Sequence, residues 1–212
     1  MNAGSQTMPV LQAERLCFAY PNHTLFTDWS AAMHPGVTLV RGGDGRGKTT
    51  LMRLLAGELP LDGGHLQIRG ISLHEQRDAY CGQLFWTDPR TDAFDSLTPL
   101  AWLQAQRRRC PKFDEKLLGE VLDGLALETQ MLKQFFMLST GSKRKVFLAA
   151  AFASGAAVTL LDMPFAALDK ASIGFVMDLL EDASSQPERA WVVADHVAPS
   201  GVRLAGLIDL GE

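Results

Sequence analysis
The stretch that most restricts this chain is residues 42–49, GGDGRGKT, which follows the apolar run Val37–Val40 and runs into TTLMRLLAG. Its spacing is G-x-x-x-x-G-K-[ST]. Glycines there let backbone N–H groups curl around phosphate oxygens, and the positive end of the following helix faces the same anion. Lys48 is placed to reach the β- and γ-phosphates of a nucleotide and Thr49 to hold Mg²⁺. The alternative is a plain glycine turn capping a helix. With glycine near 7% of residues a chance match is rare, and the strand-to-helix context is the one the loop requires.

A second element is Val158–Asp162, VTLLD, an apolar run ending in a carboxylate. In P-loop proteins such an aspartate assists Mg²⁺. Alone the signal is weak, since many strands end in Asp; after a P-loop it is specific.

The remaining pattern agrees with a sheet that needs burial on both faces. Leu16–Tyr20, Val37–Val40, His65–Ile68, Gly82–Trp86, Val158–Leu161 and Trp191–Ala194 read as strands, with PNHTL before Phe26 as a turn. Short continuous apolar runs suit a parallel sheet. TTLMRLLAG, PLAWLQAQRRR, DEKLLGEVLDGLAL and Ser172–Leu180 read as helices, with Gly57 as a stop. Strands alternating with helices predict an α/β fold with a largely parallel sheet. One domain is expected over 1–212, with an N-terminal antiparallel β portion and a helical insert at 87–150.

Charge and cysteine content narrow the function classes. The net charge is −4, which gives no electrostatic footprint for nucleic acid. Arg107-Arg108-Arg109 reads as the solvated end of a helix. Cys17, Cys81 and Cys110 are scattered and odd in number, which argues against a disulfide framework or a zinc site and for a reducing cytosol. The start MNAGSQTMPV lacks the order of a secretory signal and reads as a frayed terminus. Residues 146–161 fall short of the roughly 20 that a spanning helix requires. His23, His34, His65 and His74 read as surface residues.

Several stretches together resemble the nucleotide-binding subunit of ABC transporters, over nearly the whole chain. They are GGDGRGKTTL, LLAGELPLDGGHLQIRG, LSTGS (138–142), LLDMPFAALD (160–169) and Ala194-Asp195-His196, with Tyr20 near the start. The compact length is similar to the ATPases of haem exporters in cytochrome c maturation. The resemblance implies a P-loop NTPase fold of ABC type, with ATP and Mg²⁺ as cofactors. It implies nucleotide contacts from Tyr20, Gly42, Gly43, Asp44, Gly45, Arg46, Gly47, Lys48, Thr49 and Thr50, and metal contacts from Thr49 and Asp162. Ser139 and Gly141 belong to the signature offered to a second nucleotide-binding subunit, Asp169 to the dimer contact, and His196 to the switch position. Catalysis is implied for His196, Asp162 and Lys48. The implied partners are that second subunit and a membrane-spanning transporter subunit, on the cytoplasmic face of the membrane. For Tyr20 an edge-strand core role stays open beside adenine stacking, and for His196 a surface role.

Three positions depart from the family pattern. Met163 stands where the family has the glutamate that polarises water. Trp86 stands at the place of the glutamine that senses Mg²⁺ and couples to the membrane subunit, with Gln83 expected back on the strand. The resemblance implies that the loop TDPRTDAFDS faces that subunit, with Trp86 as an anchor of the contact or, alternatively, a core tryptophan at a strand end. The signature keeps Ser139 and Gly141 but reads LSTGS. These departures imply good Mg-ATP binding with slow hydrolysis. The alternative is an ATP-gated module without useful turnover, for regulation or assembly. A soluble relative acting in translation or repair fits poorly, because paired ATPase halves and long coiled-coil inserts are lacking.

Overall fold
The structure, a computed structural model, describes residues 8–211. Most of the expected frayed N-terminus lies outside the described residues. Two sheets organise the chain. The antiparallel one has the order β2-β1-β4-β5, formed by β1 (Leu11–Tyr20), β2 (His23–Met33), β4 (Gly63–Ile68) and β5 (Ile71–Ser72). The parallel one has the order β6-β7-β8-β3-β9, from β6 (Leu84–Phe85), β7 (Val158–Asp162), β8 (Ala190–Asp195), β3 (Gly36–Arg41) and β9 (Leu204–Asp209). An α/β fold with both a parallel and an antiparallel sheet is therefore what the chain adopts.

The interior strands explain their own sequences. β7 is buried at every position and β3 and β8 at all but their last residue, as continuous apolar runs in a parallel sheet require. Their register fixes the geometry of one sheet edge. Val40 and Asp162 both lie level with Ala194, and Arg41 lies level with Asp195. The residues that follow β3, β7 and β8 therefore emerge side by side at the carboxyl ends of the strands, where ligands of open α/β sheets bind.

α1 (Lys48–Leu55) fills the space behind that edge, with Leu51, Met52, Leu54 and Leu55 fully buried. Gly57 follows at φ 71°, a left-handed stop that glycine adopts without strain. Between β6 and β7 the chain forms α3 (Pro99–Arg109), α4 (Glu115–Gly124), two short 3₁₀ turns and α5 (Thr140–Ala153). An aromatic cluster joins them. Trp102 lies edge-on to Phe147 at 5.1 Å, and Phe135 stacks on Phe147 at 5.4 Å. α5 continues past residue 150, and Gly155 at φ 64° turns the chain into β7. α6 (Lys170–Ser184) starts earlier and ends later than Ser172–Leu180. Among the described residues no helix is long and apolar enough to cross a membrane.

Three local expectations are corrected. The turn PNHTL shrinks to Pro21 and Asn22, because His23, Thr24 and Leu25 already belong to β2, with His23 and Thr24 paired to Tyr20 and Ala19. Gly82 does not begin a strand; it ends α2 (Arg77–Gly82), whose capping residue is Gln83, so Gln83 lies before the strand instead of on it. Trp86 lies just past β6 and is 6% exposed, packed in the core.

Candidate functional site
The loop after β3 is pinned at its start. Arg41 pairs with Asp209 at 2.6 Å, and the Gly43 amide donates to the Gly211 carbonyl at 2.9 Å. It then passes Gly45 and Gly47 at φ 76° and 92°, conformations that L side chains strain to adopt. Gly47 caps α1 with no side-chain acceptor. The first amides of α1 are thus left for a ligand, at the positive end of the helix. Lys48 is buried, and its ammonium donates to the carbonyls of Gly42 (2.6 Å) and Gly43 (2.9 Å). Those two bonds hold the cation within the curl of the loop.

Asp162 closes the other side. Its Oδ2 accepts a 2.7 Å hydrogen bond from the Thr49 hydroxyl, while Oδ1 is buried with no hydrogen-bond partner. Burial raises its pKa above the usual carboxylate value, opposed by the Thr49 bond and by the positive charge of Arg90. An orphaned carboxylate oxygen beside a hydroxyl is a mismatch that a divalent cation would relieve. Mg²⁺ binds through one or two carboxylates plus substrate phosphates and waters, and Thr49 with Asp162 fits that donor set.

These groups line a cavity of about 340 Å³ together with Tyr20, His23, Leu25, Gly43, Asp44, Gly45, Gly47, Thr50, Arg90, Met163 and His196. Tyr20 is 41% exposed, stands edge-on to Phe18, and its hydroxyl lies 3.3 Å from the Thr50 hydroxyl. His196 Nε2 lies 3.4 Å from Asp44 Oδ1, so the residue after β8 faces the phosphate loop. Gly42 and Arg46 belong to the loop without lining this cavity; a Cβ on Gly42 would crowd Leu210 and Arg46.

Met163 lines the cavity at φ 50°. Its amide donates to the Ala194 carbonyl at 2.8 Å, and its own carbonyl accepts from Arg144 at 2.7 Å. Arg144, from α5, also reaches the Ala166 carbonyl at 3.1 Å. It thereby clamps a turn with two non-glycine residues at positive φ, Met163 and Ala167. Such conformations persist only when their surroundings hold them. A thioether accepts hydrogen bonds weakly and cannot take a proton.

Ser139, Gly141 and Asp169 stand outside the cavity. Ser139 caps α5 by accepting from the Ser142 amide, and its hydroxyl lies 3.0 Å from that of Ser142. Gly141 presses on the 163–167 turn: a Cβ there would collide with the Ala167 carbonyl oxygen. Asp169 caps α6 and pairs with Lys145 at 2.7 Å. The Lys145 and Ser172 hydrogen bonds hold its carboxyl well below the usual range. Trp86 does not line the phosphate cavity. It borders a neighbouring cleft with Thr91, Phe94, Trp102 and Gln106. Sequence reasoning missed His23, Leu25, Arg90 and Arg144. The two from β2 were hidden by the overlong turn, and the two arginines carry no motif.

The family described as ABC transporter matches residues 27–166, from β2 through the Asp162–Met163 turn. The chain belongs to that family. A cytochrome c biogenesis ATP-binding export protein, CcmA, of Pseudomonas savastanoi pv. phaseolicola is 33% identical over 96% of this chain and 96% of its own. Its namesake from Hahella chejuensis is 30% identical over 84% of each. These relatives support the resemblance to ATP-binding subunits of haem-exporter type. A solved ATP-binding subunit of an ABC transporter superposes with a TM-score of 0.79, over 89% of this chain and 80% of that one, at 20% identity. At that identity the likeness is one of fold. ATP binding and a place in transport are thus family properties of the chain.

Proposed function
We propose that the chain is the ATP-binding subunit of an export system of the cytochrome c biogenesis type. It binds Mg-ATP at the cavity built on Lys48, Thr49 and Asp162 and hydrolyses it slowly. The observation that carries the reading is the Thr49–Asp162 hydrogen bond with the free Asp162 oxygen beside it. When bound, Mg²⁺ supplies positive charge that offsets the charge on the β- and γ-phosphates. Lys48 turns from the Gly42 and Gly43 carbonyls to those phosphates, and the glycine amides bind their oxygens. Tyr20 stacks on adenine. With methionine at 163 no carboxylate follows Asp162, so His196 is the group left to orient water against the γ-phosphate. The loss of a general base costs typically about 10²–10⁴-fold, which leaves slow turnover.

The same reading gives the chain two partners. A second nucleotide-binding subunit meets Ser139, Gly141 and Asp169, which lie away from the chain's own cavity. A membrane-spanning subunit sits on the cleft bordered by Trp86, Thr91, Phe94 and Trp102, with the chain peripheral on the cytoplasmic face. The segment 87–150 acts as the helical subdomain of a single nucleotide-binding domain. Met163 favours one further reading, an ATP-gated module that closes on nucleotide without useful turnover.

The experiment that tests the leading reading is purification from membranes with identification of co-purified chains, paired with calorimetry of Mg-ATP binding. A multi-helix membrane protein and saturable ATP binding are expected. Saturable binding with no membrane partner would move the gated module ahead, and absence of binding would remove both.

A further inference from the structure
One cation in the nucleotide cavity comes from neither the phosphate loop nor the strand ends. Residues 88–91 form a β-turn in which the Thr91 amide donates to the Asp88 carbonyl at 3.1 Å. Asp88 and Pro89 occupy the first two positions, which those residues favour. The Arg90 amide donates to Asp88 Oδ1 at 2.9 Å, so the turn is stiffened from within. It presents Arg90 to the cavity alongside Lys48, Asp162, Met163 and His196, while Asp88 and Thr91 line the neighbouring cleft.

Arg90 is exposed, yet it lines the nucleotide cavity. Its guanidinium makes no ion pair and no hydrogen bond among the described residues. The acidic groups in the cavity are Asp44, near His196, and Asp162, engaged by Thr49. Arg90 lines the same cavity as Asp162 and Met163, and its charge bears on Asp162 and on the buried Arg144. Met163 brings no carboxylate into the cavity to compete with a phosphate for Arg90. Guanidinium suits that role, because its planar fork matches phosphate oxygens.

We propose that Arg90 contacts the γ-phosphate of ATP in cis and makes this cavity distinguish ATP from ADP. The contact ties the third phosphate to the turn whose other side lines the cleft beside α3. The inference rests on the nucleotide reading of the cavity. Arg90 adds charge where the terminal phosphate sits, and it cannot act as a base.

The test is calorimetry on the full chain with Mg²⁺, using a non-hydrolysable ATP analogue and, separately, ADP. Arg90→Ala should weaken the analogue by about 10–100-fold, the loss of a charge-assisted hydrogen bond, and leave ADP unchanged. Arg90→Lys should recover part of the loss, since it keeps the charge and lacks the fork. An equal loss for both nucleotides overturns the proposal in favour of a structural role for the loop. No loss for either overturns it in favour of a solvated arginine. Lys48→Ala separates the two readings, because it should weaken analogue and ADP alike. A wild-type chain that binds neither nucleotide removes the nucleotide reading itself, and this inference with it.

Discussion
The two walls of the cavity differ in how they are built. One wall is the phosphate loop with Thr49 and Asp162, held by backbone register, by glycines at positive φ and by a 2.7 Å side-chain bond. The other is Met163, His196 and Arg90, each supplied by a separate turn past a strand end or in a loop. In the proposed function the first wall supplies Lys48, Thr49 and Asp162 to the phosphates and Mg²⁺, and Arg90 on the second adds a cation to the same cavity. The second carries methionine at 163, a side chain that cannot take a proton. On that reading turnover rests on Met163 and His196, so substitutions there should spare binding, while those at Lys48 should lower both.

The largest effect belongs to the first wall. Lys48→Ala removes the cation that the loop carbonyls hold in place. Two charge-assisted bonds to phosphates are lost, each roughly 1.5–3 kcal/mol, so affinity for Mg-ATP should fall by about 10²–10⁴-fold by calorimetry. Circular dichroism should be unchanged. Unchanged affinity would take the phosphate loop out of the argument.

Trp86 belongs to neither wall, and its effect should fall on stability. Truncation of a buried tryptophan costs about 3–5 kcal/mol. Trp86→Ala should therefore lower the denaturant midpoint steeply, with the nucleotide affinity of the folded fraction retained. The indole N–H has no partner, so Trp86→Phe leaves no acceptor unsatisfied and should cost less. If Trp86→Ala kept full stability and lost only its membrane partner, the residue would be an interface anchor after all.

These two contrasts also explain which parts of the molecule were legible in the sequence. β3, β7, β8 and α1 could be read because burial on both faces leaves uninterrupted apolar runs. β2 and β9 could not. β9 alternates half-buried with exposed residues, and β2 carries Asp28, Ser30 and several exposed positions on an edge. β6 is only Leu84–Phe85, so its apolar run was confused with the end of α2. In the cavity, the wall made of contiguous motifs is the one that can be read from the sequence. Arg90 reaches the cavity from a loop and Arg144 reaches its Met163 turn from α5, and no local spacing encodes such reach. Trp86 is a related case: a position in a motif does not say which way the side chain packs, and this one packs in the core.

On the second wall the effect should fall on turnover. Met163 lines the cavity in a turn already held by Arg144 and by the Ala194 carbonyl. A glutamate there meets the same backbone requirement as methionine. Met163→Glu should raise phosphate release by about 10–10³-fold, below the top of the general-base range, because the altered signature remains. Met163→Gln should leave release low, since it restores polarity without a base. The blank is Lys48→Ala. Release that stays at the blank level, while nucleotide still binds, would favour the gated module over the slow ATPase.

The smallest expected effect lies at the outer edge of the first wall, and it asks what Tyr20 contributes. The ring stands edge-on to Phe18 with centroids 5.0 Å apart, is partly exposed, and carries a hydroxyl 3.3 Å from that of Thr50. Two roles follow from that geometry. The ring can stack on adenine, or the hydroxyl can steady the first turn of α1 and so serve the phosphates. Aromatic stacking contributes about 0.5–1.5 kcal/mol, so Tyr20→Ala should weaken Mg-ATP by roughly 2–10-fold. Tyr20→Phe, which keeps the ring, should change affinity far less. Inorganic tripolyphosphate has no base to stack, so its binding should not respond to Tyr20→Ala. If Tyr20→Phe weakens ATP as much as Tyr20→Ala, and tripolyphosphate weakens in step, the hydroxyl is the working group. The stacking assignment then falls, and Tyr20 becomes part of the phosphate wall itself.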